Sequence, residues 1–336
     1  MSDARYFIGL DVGGTAMKAG VVDDQGHPLS AVSLPTEAAR GPEAGLERMA
    51  ETIREALRAA GCSLDEIAAI GVATPGLMDI PAGIITESVN MPGWHQVPVR
   101  DTIAQRFGKP TAFQNDANAA AMGEYWAGAG KGVRSLVFFT LGTGVGGGII
   151  LDGQVLEGRH SHGGELGHLK IEMSHPRRCG CGRLGCLEAY ASALAVVKRT
   201  YEALNRPGER SSLREVLTSR GELTARDVFT AADQGDELAG RLVEETAYYL
   251  AIGAMNAMHT IDPDMIVFGG GMTAAGEGFL ERIRYHVRQL AFPIPAERTV
   301  VRYAQLGTDA GFIGAAGCGR QLLTGRLALD SSSANA

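Results

Sequence analysis

Apolar and turn-forming positions alternate from the start of the chain. "YFIGLDVGG", "MKAGVVDD" and "HPLSAVSLPT" are apolar runs of strand length, bounded by glycine or by Asp-containing turns. This pattern predicts a β-hairpin with a third strand following it. The period then changes. Leu46, Met49, Ile53 and Leu57 recur at helical spacing up to Gly61, which predicts a helix with a glycine stop. "AAIGVATPG" reads as a buried strand ending in a turn, and "VRDTIAQRFG" as a helix closed by Gly108. "TAFQND" is a strand that runs into the helix "ANAAAMGEYWAG".

The second half repeats the opening. "LVFFTLGTGVGGGIILDGQVLEG" is strand, Gly/Thr turn, strand, Asp-Gly turn, strand, in the order of "YFIGLDVGGTAMKAGVVDDQGHPLS". Helices then dominate, including a long amphipathic one through "ELAGRLVEETAYYLAIGAMNAMHTI". "DMIVFGGGMTAAGEGFLERIRYHV" is strand, glycine turn, helix, and "TVVRYAQL" leads into "AGFIGAAGCGRQLL". The repeat implies two related α/β domains facing a cleft, joined by more than one crossing of the chain. The boundaries expected are 1–117, completed by a C-terminal helix at about 305–325, and 118–304.

Composition narrows the class. With 336 residues the chain is long enough for two cores, and 45% hydrophobic with 21% charged residues is globular. A net charge of −7 gives no electrostatic reason to expect nucleic acid or an anionic membrane as a partner. "MSDARYFIGLDVGG" lacks the basic flank and apolar run of a signal peptide, and no apolar run is long enough to span a bilayer. Five cysteines, three of them clustered, suit a reducing cytoplasm. "DSSSANA" reads as a frayed tail.

The 46 glycines are clustered, and the clusters carry chemistry. Gly142, Gly144 and Gly147 spell G-x-G-x-x-G, but the next residues, "IILDG", form a strand. A dinucleotide fingerprint needs a helix there to aim its N-terminus at pyrophosphate. "GAGKG" lacks the upstream glycine and the hydroxyl residue of a P-loop. What remains are hairpin turns whose bare N–H groups can hold phosphate oxygens, because no Cβ obstructs them. Gly13, Gly14, Thr15 and Lys18 form one such group, Gly142, Thr143 and Gly144 a second, and Gly270 and Gly271 follow a third strand. Each could instead be a tight turn and nothing more. Their recurrence in equivalent positions favours phosphate.

"RCGCGRLGCLE" places Cys179, Cys181 and Cys186 at C-x-C-x4-C spacing, too close for a disulfide framework. Thiolates interleaved with glycines look like ligands of a structural zinc, which wants four. His168 and His175 are the nearest upstream donors for the fourth place. "FQNDANAA" puts Asn115 and Asp116 where a strand gives way to a helix. A carboxylate there could accept a proton from a substrate hydroxyl, or could cap the helix.

"DVGGTAMKAG", "QNDANAA", "LGTGVGGG", "GGELGHLKI" and "CGCGRLGCLE", in this order, resemble the ROK family of bacterial sugar kinases and related repressors, over about residues 5–325. The resemblance implies an α/β fold of two actin-like (ribonuclease H-like) domains facing a cleft, with a zinc-bound loop. It implies ATP-dependent phosphorylation of a hexose at the 6-hydroxyl, glucose first, with N-acetylmannosamine, N-acetylglucosamine or a non-catalytic sugar sensor as alternatives. In the family's pattern Asp116 is the catalytic base, and Asn90, Asn115, Asp116, Glu165, His168 and Glu188 bind sugar. Asp11 lies near Mg²⁺, and the three glycine groups hold ATP. His168 joins Cys179, Cys181 and Cys186 as a ligand of structural Zn²⁺, with His175 as the rival. The expected partners are hexose and ATP, with neither nucleic acid nor membrane, and the expected assembly is a homodimer. Only ten residues precede Asp11, so no winged helix of the repressor type is expected.

Overall fold

The structure, a computed structural model, describes residues 5–88, 91 and 93–324. In chain order it begins with strands β1 (Tyr6–Val12), β2 (Ala16–Val22) and β3 (Val32–Pro35) and helix α1 (Pro42–Ala60). Next come β4 (Ile67–Thr74), β5 (Leu77–Asp79), β6 (Ile84–Glu87), β7 (His95–Val97), α2 (Val99–Phe107), β8 (Thr111–Asn115) and α3 (Asp116–Trp126). Strands β9 (Ser135–Leu141), β10 (Val145–Leu151) and β11 (Gln154–Val155) then precede helices α4 (Glu188–Ala191), α5 (Ala193–Leu204), α6 (Leu213–Arg220), α7 (Ala225–Asp233) and α8 (Glu237–Ile261). The chain closes with β12 (Met265–Gly269), α9 (Glu277–Leu290), α10 (Pro293–Arg298), β13 (Val300–Tyr303) and α11 (Ala310–Thr324).

The helices stop where their chemistry requires. α1 starts with Pro42 at its first position and ends at Gly61, whose φ of 67° lets its N–H reach back to Arg58 and Leu57 carbonyls. α2 ends the same way at Gly108, φ 61°. Leu46, Met49, Ile53 and Leu57 of α1 are buried against the first sheet, as their spacing predicts.

Two five-stranded sheets have equivalent orders: β3-β2-β1-β4-β8 and β11-β10-β9-β12-β13. In the first, β1 and β2 form an antiparallel hairpin, while β1–β4 and β4–β8 are parallel. In the second, β10–β11 is antiparallel and β9–β12 and β12–β13 are parallel. The internal repeat expected from the sequence is therefore present in the topology. A small antiparallel sheet, β5-β6-β7, is separate.

The chain divides into two compact units. One runs through Arg134 and adds Gly148–Gly164 and the segment from Gln305; the other is Ser135–Gly147 with Glu165–Ala304. The first division thus falls at 134/135, beyond the 117/118 expected, and α3 stays with the first unit. Its packing against α11 explains why. A Cβ at Gly314 would lie 1.6 Å from the Ala119 carbonyl oxygen, and one at Gly123 would lie 2.3 Å from that of Ala310. The other side of α11 sits directly on strand backbone: a Cβ at Gly9 would be 1.7 Å from the Phe312 oxygen, and one at Gly71 would be 1.7 Å from that of Ala315. Glu124 of α3, wholly buried, accepts hydrogen bonds from the N–H groups of Ala129, Gln305 and Leu306, fixing the approach to α11.

Gly9→Ala should destabilise the protein by more than about 3 kcal/mol, because backbone rather than a movable side chain blocks the new methyl. Gly278→Ala, in α9 with nothing within 4 Å, should be neutral or stabilising by up to about 1 kcal/mol. Urea denaturation of both variants checks the contrast; equal stabilities would contradict the packing described.

Candidate functional site

In the first unit, three parallel strands end side by side. Asp11 near the end of β1 pairs in register with Lys18 on β2 and with Ala73 on β4, and Thr74 pairs with Asn115 at the end of β8. The Asn115 side chain caps α3, its Oδ1 accepting from Ala117 N at 2.9 Å and Asn118 N at 3.3 Å. The cap is thus Asn115, one residue before the Asp116 considered from sequence. Asp116 is the first helical residue, with Oδ1 accepting from Ala117 N at 2.8 Å. Asp116 is thus not the N-cap, although its carboxylate shares the Ala117 N–H with Asn115.

Asp11 and Asp116 are neighbours electrostatically. Burial pushes the Asp11 carboxyl up to about 7, the Asp116 charge pushes in the same direction, and Lys18 opposes them. The Asp11 side chain lies against α11 where that helix has Gly311; a Cβ there would sit 2.1 Å from Asp11 Oδ2. Two acidic groups brought together, one near the end of β1 and one at the start of α3, form a place where a divalent cation would relieve repulsion.

The turn between β1 and β2 is open: Gly14, Thr15 and Ala16 are exposed. Gly13 N–H donates to the Ala16 carbonyl at 2.9 Å, and Thr36 braces the turn by donating to the Gly13 carbonyl (2.6 Å, hydroxyl) and the Thr15 carbonyl (2.9 Å, N–H). Lys18 is held by an ion pair with Asp309 and a hydrogen bond to Thr308 Oγ1 at 3.1 Å. Thr74 Oγ1 and Asn118 Oδ1, both buried, have no hydrogen-bond partner among the described residues, as is also the case for Ser88 Oγ and Trp94 Nε1. Asn90 lies outside the described residues.

In the second unit, the β9–β10 turn leaves Thr143 exposed between Gly142 and Gly144. The glycine following β12 is beside it: a Cβ at Gly270, φ 87°, would lie 2.5 Å from the Leu141 carbonyl oxygen. These two glycine groups are therefore contiguous, with Gly271 opening the short helix that follows. Glu188, first residue of α4, joins this turn to the cysteine loop. Its Oε2 accepts from Val145 N at 3.0 Å, and its Oε1 lies 3.2 Å from Cys179 Sγ, which can donate to it only as the thiol and not as a metal-bound thiolate. Glu165 is exposed, and its carboxylate is 3.9 Å from His168 Nε2.

His168, Cys179, Cys181 and Cys186 each offer one ligand atom, all within 4.8 Å of one another. A tetrahedral zinc with bonds near 2.3 Å to sulfur needs sulfur–sulfur edges of about 3.8 Å. Cys181 Sγ to Cys186 Sγ is 3.8 Å, and Cys179 Sγ to His168 Nδ1 is 3.8 Å. The residues present fit the ion. His175 is exposed and outside this group, with its N–H turned to Glu172 Oε1. Lys170 Nζ lies 2.9 Å from Cys186 Sγ.

The polar neighbours of Asp116 were not readable as site residues. Gln114 and Asn118, both 2% exposed, and the half-buried Glu157 form a chain of hydrogen bonds around the β8–α3 junction. Gln114 and Asn118 do flank the N-D pair in sequence, which is the one signal available. Glu157 and Asp309 have none.

A profile of the ROK family matches residues 7–321. A glucokinase of Halalkalibacterium halodurans is 37% identical over 314 residues, covering 94% of each chain. A crystal structure of a ROK hexokinase from Thermus thermophilus superposes with a TM-score of 0.82 at 36% identity, covering 95% of this chain and 99% of that one. A ROK family glucokinase from Streptomyces griseus, in complex with glucose and AMPPNP, gives a TM-score of 0.77 at 33% identity, with 94% and 99% covered. N-acetylmannosamine kinases of Salmonella paratyphi A are 32% identical over 92% of this chain and 96% of theirs.

Freshly purified protein should contain one zinc per chain. Cys186→Ser should lower that content and make the remaining metal easier to strip with a chelator, measured by elemental analysis. Metal-free protein purified without chelator would contradict the four-ligand assignment.

Proposed function

The chain belongs to the ROK family, and from that membership we propose that it is an ATP-dependent hexose kinase acting on the 6-hydroxyl of glucose. The observation that carries the reading is the Asn115–Asp116 junction, where a strand end meets a helix start, Asn115 supplies the cap, and Asp116 is brought electrostatically close to Asp11. The similarity to glucokinases, one of them described in complex with glucose and AMPPNP, supports ATP as donor and glucose as acceptor.

In this reading Asp116 takes the proton from the 6-hydroxyl as its oxygen attacks the γ-phosphorus and the bond to the β–γ bridging oxygen breaks to release ADP, a role worth about 10²–10⁴ in rate. The orphan oxygens of Thr74 and Asn118 are groups that a polyhydroxylated ligand, or water ordered by it, would satisfy. Glu165, His168, Glu188 and Asn90 are assigned to sugar hydroxyls; a carboxylate has lone pairs to spare after the contacts Glu188 makes within the protein. The open turns at Gly13–Thr15 and Gly142–Gly144, with Gly270 and Gly271, are assigned to phosphate oxygens. Asp11, raised by burial beside Asp116, is assigned to Mg²⁺ through water; Mg²⁺ bound there would neutralise charge on the transferring phosphoryl group. His168, Cys179, Cys181 and Cys186 would hold a zinc that shapes the loop carrying Glu188, without a part in the chemistry. N-acetylmannosamine is the second reading, favoured by the 32% identical kinases for that sugar.

Wild-type protein should release ADP faster with glucose than with N-acetylmannosamine or N-acetylglucosamine. Asp116→Asn should lower kcat by about 10²–10⁴ and leave glucose binding, measured by titration calorimetry, within a few-fold of wild type. Turnover near wild type in that variant would remove Asp116 as the base, and a preference for an N-acetylhexosamine would reassign the substrate.

A further inference from the structure

The β8–α3 junction is built around one amide whose orientation matters. Gln114 is buried, and its two ends face different partners. Its Oε1 accepts from Asn115 N at 2.8 Å and from Asn118 Nδ2 at 3.1 Å; its Nε2 donates to Glu157 Oε1 at 2.8 Å. Asn115 then caps α3 and so fixes the backbone from which the Asp116 carboxylate projects. Glu157 follows β11, and its carbonyl is held by the Gly163 N–H at 2.7 Å, so it is presented from a closed turn of the chain.

We propose that Glu157 is a positioning residue for the catalytic pair Asn115–Asp116, acting through the orientation of the Gln114 side-chain amide. The Glu157 carboxylate can only accept, so it selects the amide orientation that aims Nε2 at Glu157 and Oε1 at the two donors on the other side. Without that acceptor the buried Nε2 is left unpaired, and the amide can regain a partner only by pulling away from the two donors on its other side or by turning over against them. An NH₂ group would then meet the Asn115 N–H and the Asn118 NH₂, three donors together in a place closed to water. The Asn115 N–H would lose its acceptor, the start of α3 would loosen, and the carboxylate of Asp116 would lose its single orientation. Burial raises the Glu157 carboxyl, and a protonated carboxyl, although it gains a donor, still offers a carbonyl oxygen to Gln114 Nε2 while the Asn115 N–H holds Oε1 in place. The same reasoning makes the acceptor atom, and not the negative charge, the property that a replacement must keep.

The proposal rests on the hexose kinase reading, and the test separates the two. Kinetics and sugar affinity are measured for wild type, Glu157→Leu, Glu157→Gln, Gln114→Glu and the double variant Gln114→Glu/Glu157→Gln. Glu157→Leu should lower kcat by about 100-fold, the scale of a misaligned reacting group, with glucose affinity from calorimetry within about threefold. Glu157→Gln, which can still present a carbonyl oxygen, should keep most of the activity. Gln114→Glu alone puts two carboxylates where one hydrogen bond was and should be impaired. The double variant restores one acceptor and one donor at the contact and should recover to within about threefold of wild type.

Thermal melts accompany each variant; should Glu157→Leu not fold, the Gln114→Glu and double-variant pair decides alone. Wild-type kcat in Glu157→Leu, or a double variant as impaired as Gln114→Glu while melting normally, would overturn the positioning role. A wild-type protein inert towards every hexose would overturn the kinase reading itself, and with it the reaction that Glu157 is said to serve.

Discussion

The first unit depends on a helix lying directly on backbone. α11 touches β1 and β4 through Gly9 and Gly71, and touches α3 through Gly123 and Gly314, at distances that no side chain would allow. Interiors are packed nearly as densely as organic crystals, so a helix seated without intervening side chains has little freedom to shift. The functional groups inherit that rigidity. α11 presents Gly311 to the Asp11 carboxyl, Asp309 just before it holds Lys18, and α3, clamped on its other side, begins with Asp116. A single helix from late in the chain thus positions the two carboxylates and one cation of this unit.

Polar groups buried in that packing are paired by chemistry that serves position. Glu124 is fully buried, and three backbone N–H groups satisfy it, two of them at the entrance to α11. Gln114 divides its amide between donors and an acceptor on opposite sides. In the second unit the same economy is found at Glu188, whose two oxygens join the glycine turn at Val145 to the cysteine loop at Cys179. A Cβ at Gly144 would come 2.4 Å from Glu188 Oε2, so the glycine in that turn makes room for the carboxylate as well as for any phosphate.

Local features of the chain were legible because their causes are local. Strand alternation, the glycine stops at Gly61 and Gly108, and the strand that follows the G-x-G-x-x-G each depend on neighbours in sequence. The cysteine cluster was legible for the same reason, and the geometry places His168 rather than His175 among its ligand atoms. Features set by distant contacts were not legible. Lys18 reads as a free cation until Asp309 appears beside it, and Gln114 reads as strand filler until Glu157 does. The assignment of α3 to the first unit rests on glycines of α11 almost two hundred positions away. Asn115 as the cap, in place of Asp116, turns on which of two adjacent residues leaves extended backbone first; composition cannot discriminate between them.

The central claim is that the Asp116 carboxylate, first residue of α3, serves phosphoryl transfer to the 6-hydroxyl of a hexose. Equimolar glucose and ATP with Mg²⁺, incubated with the protein and followed by ³¹P NMR, test it most directly. A hexose kinase of this kind converts the γ-phosphate signal into a single phosphomonoester, glucose 6-phosphate, in step with ADP. Inorganic phosphate in place of the sugar phosphate, a phosphoester at another hydroxyl, or unchanged ATP would contradict it.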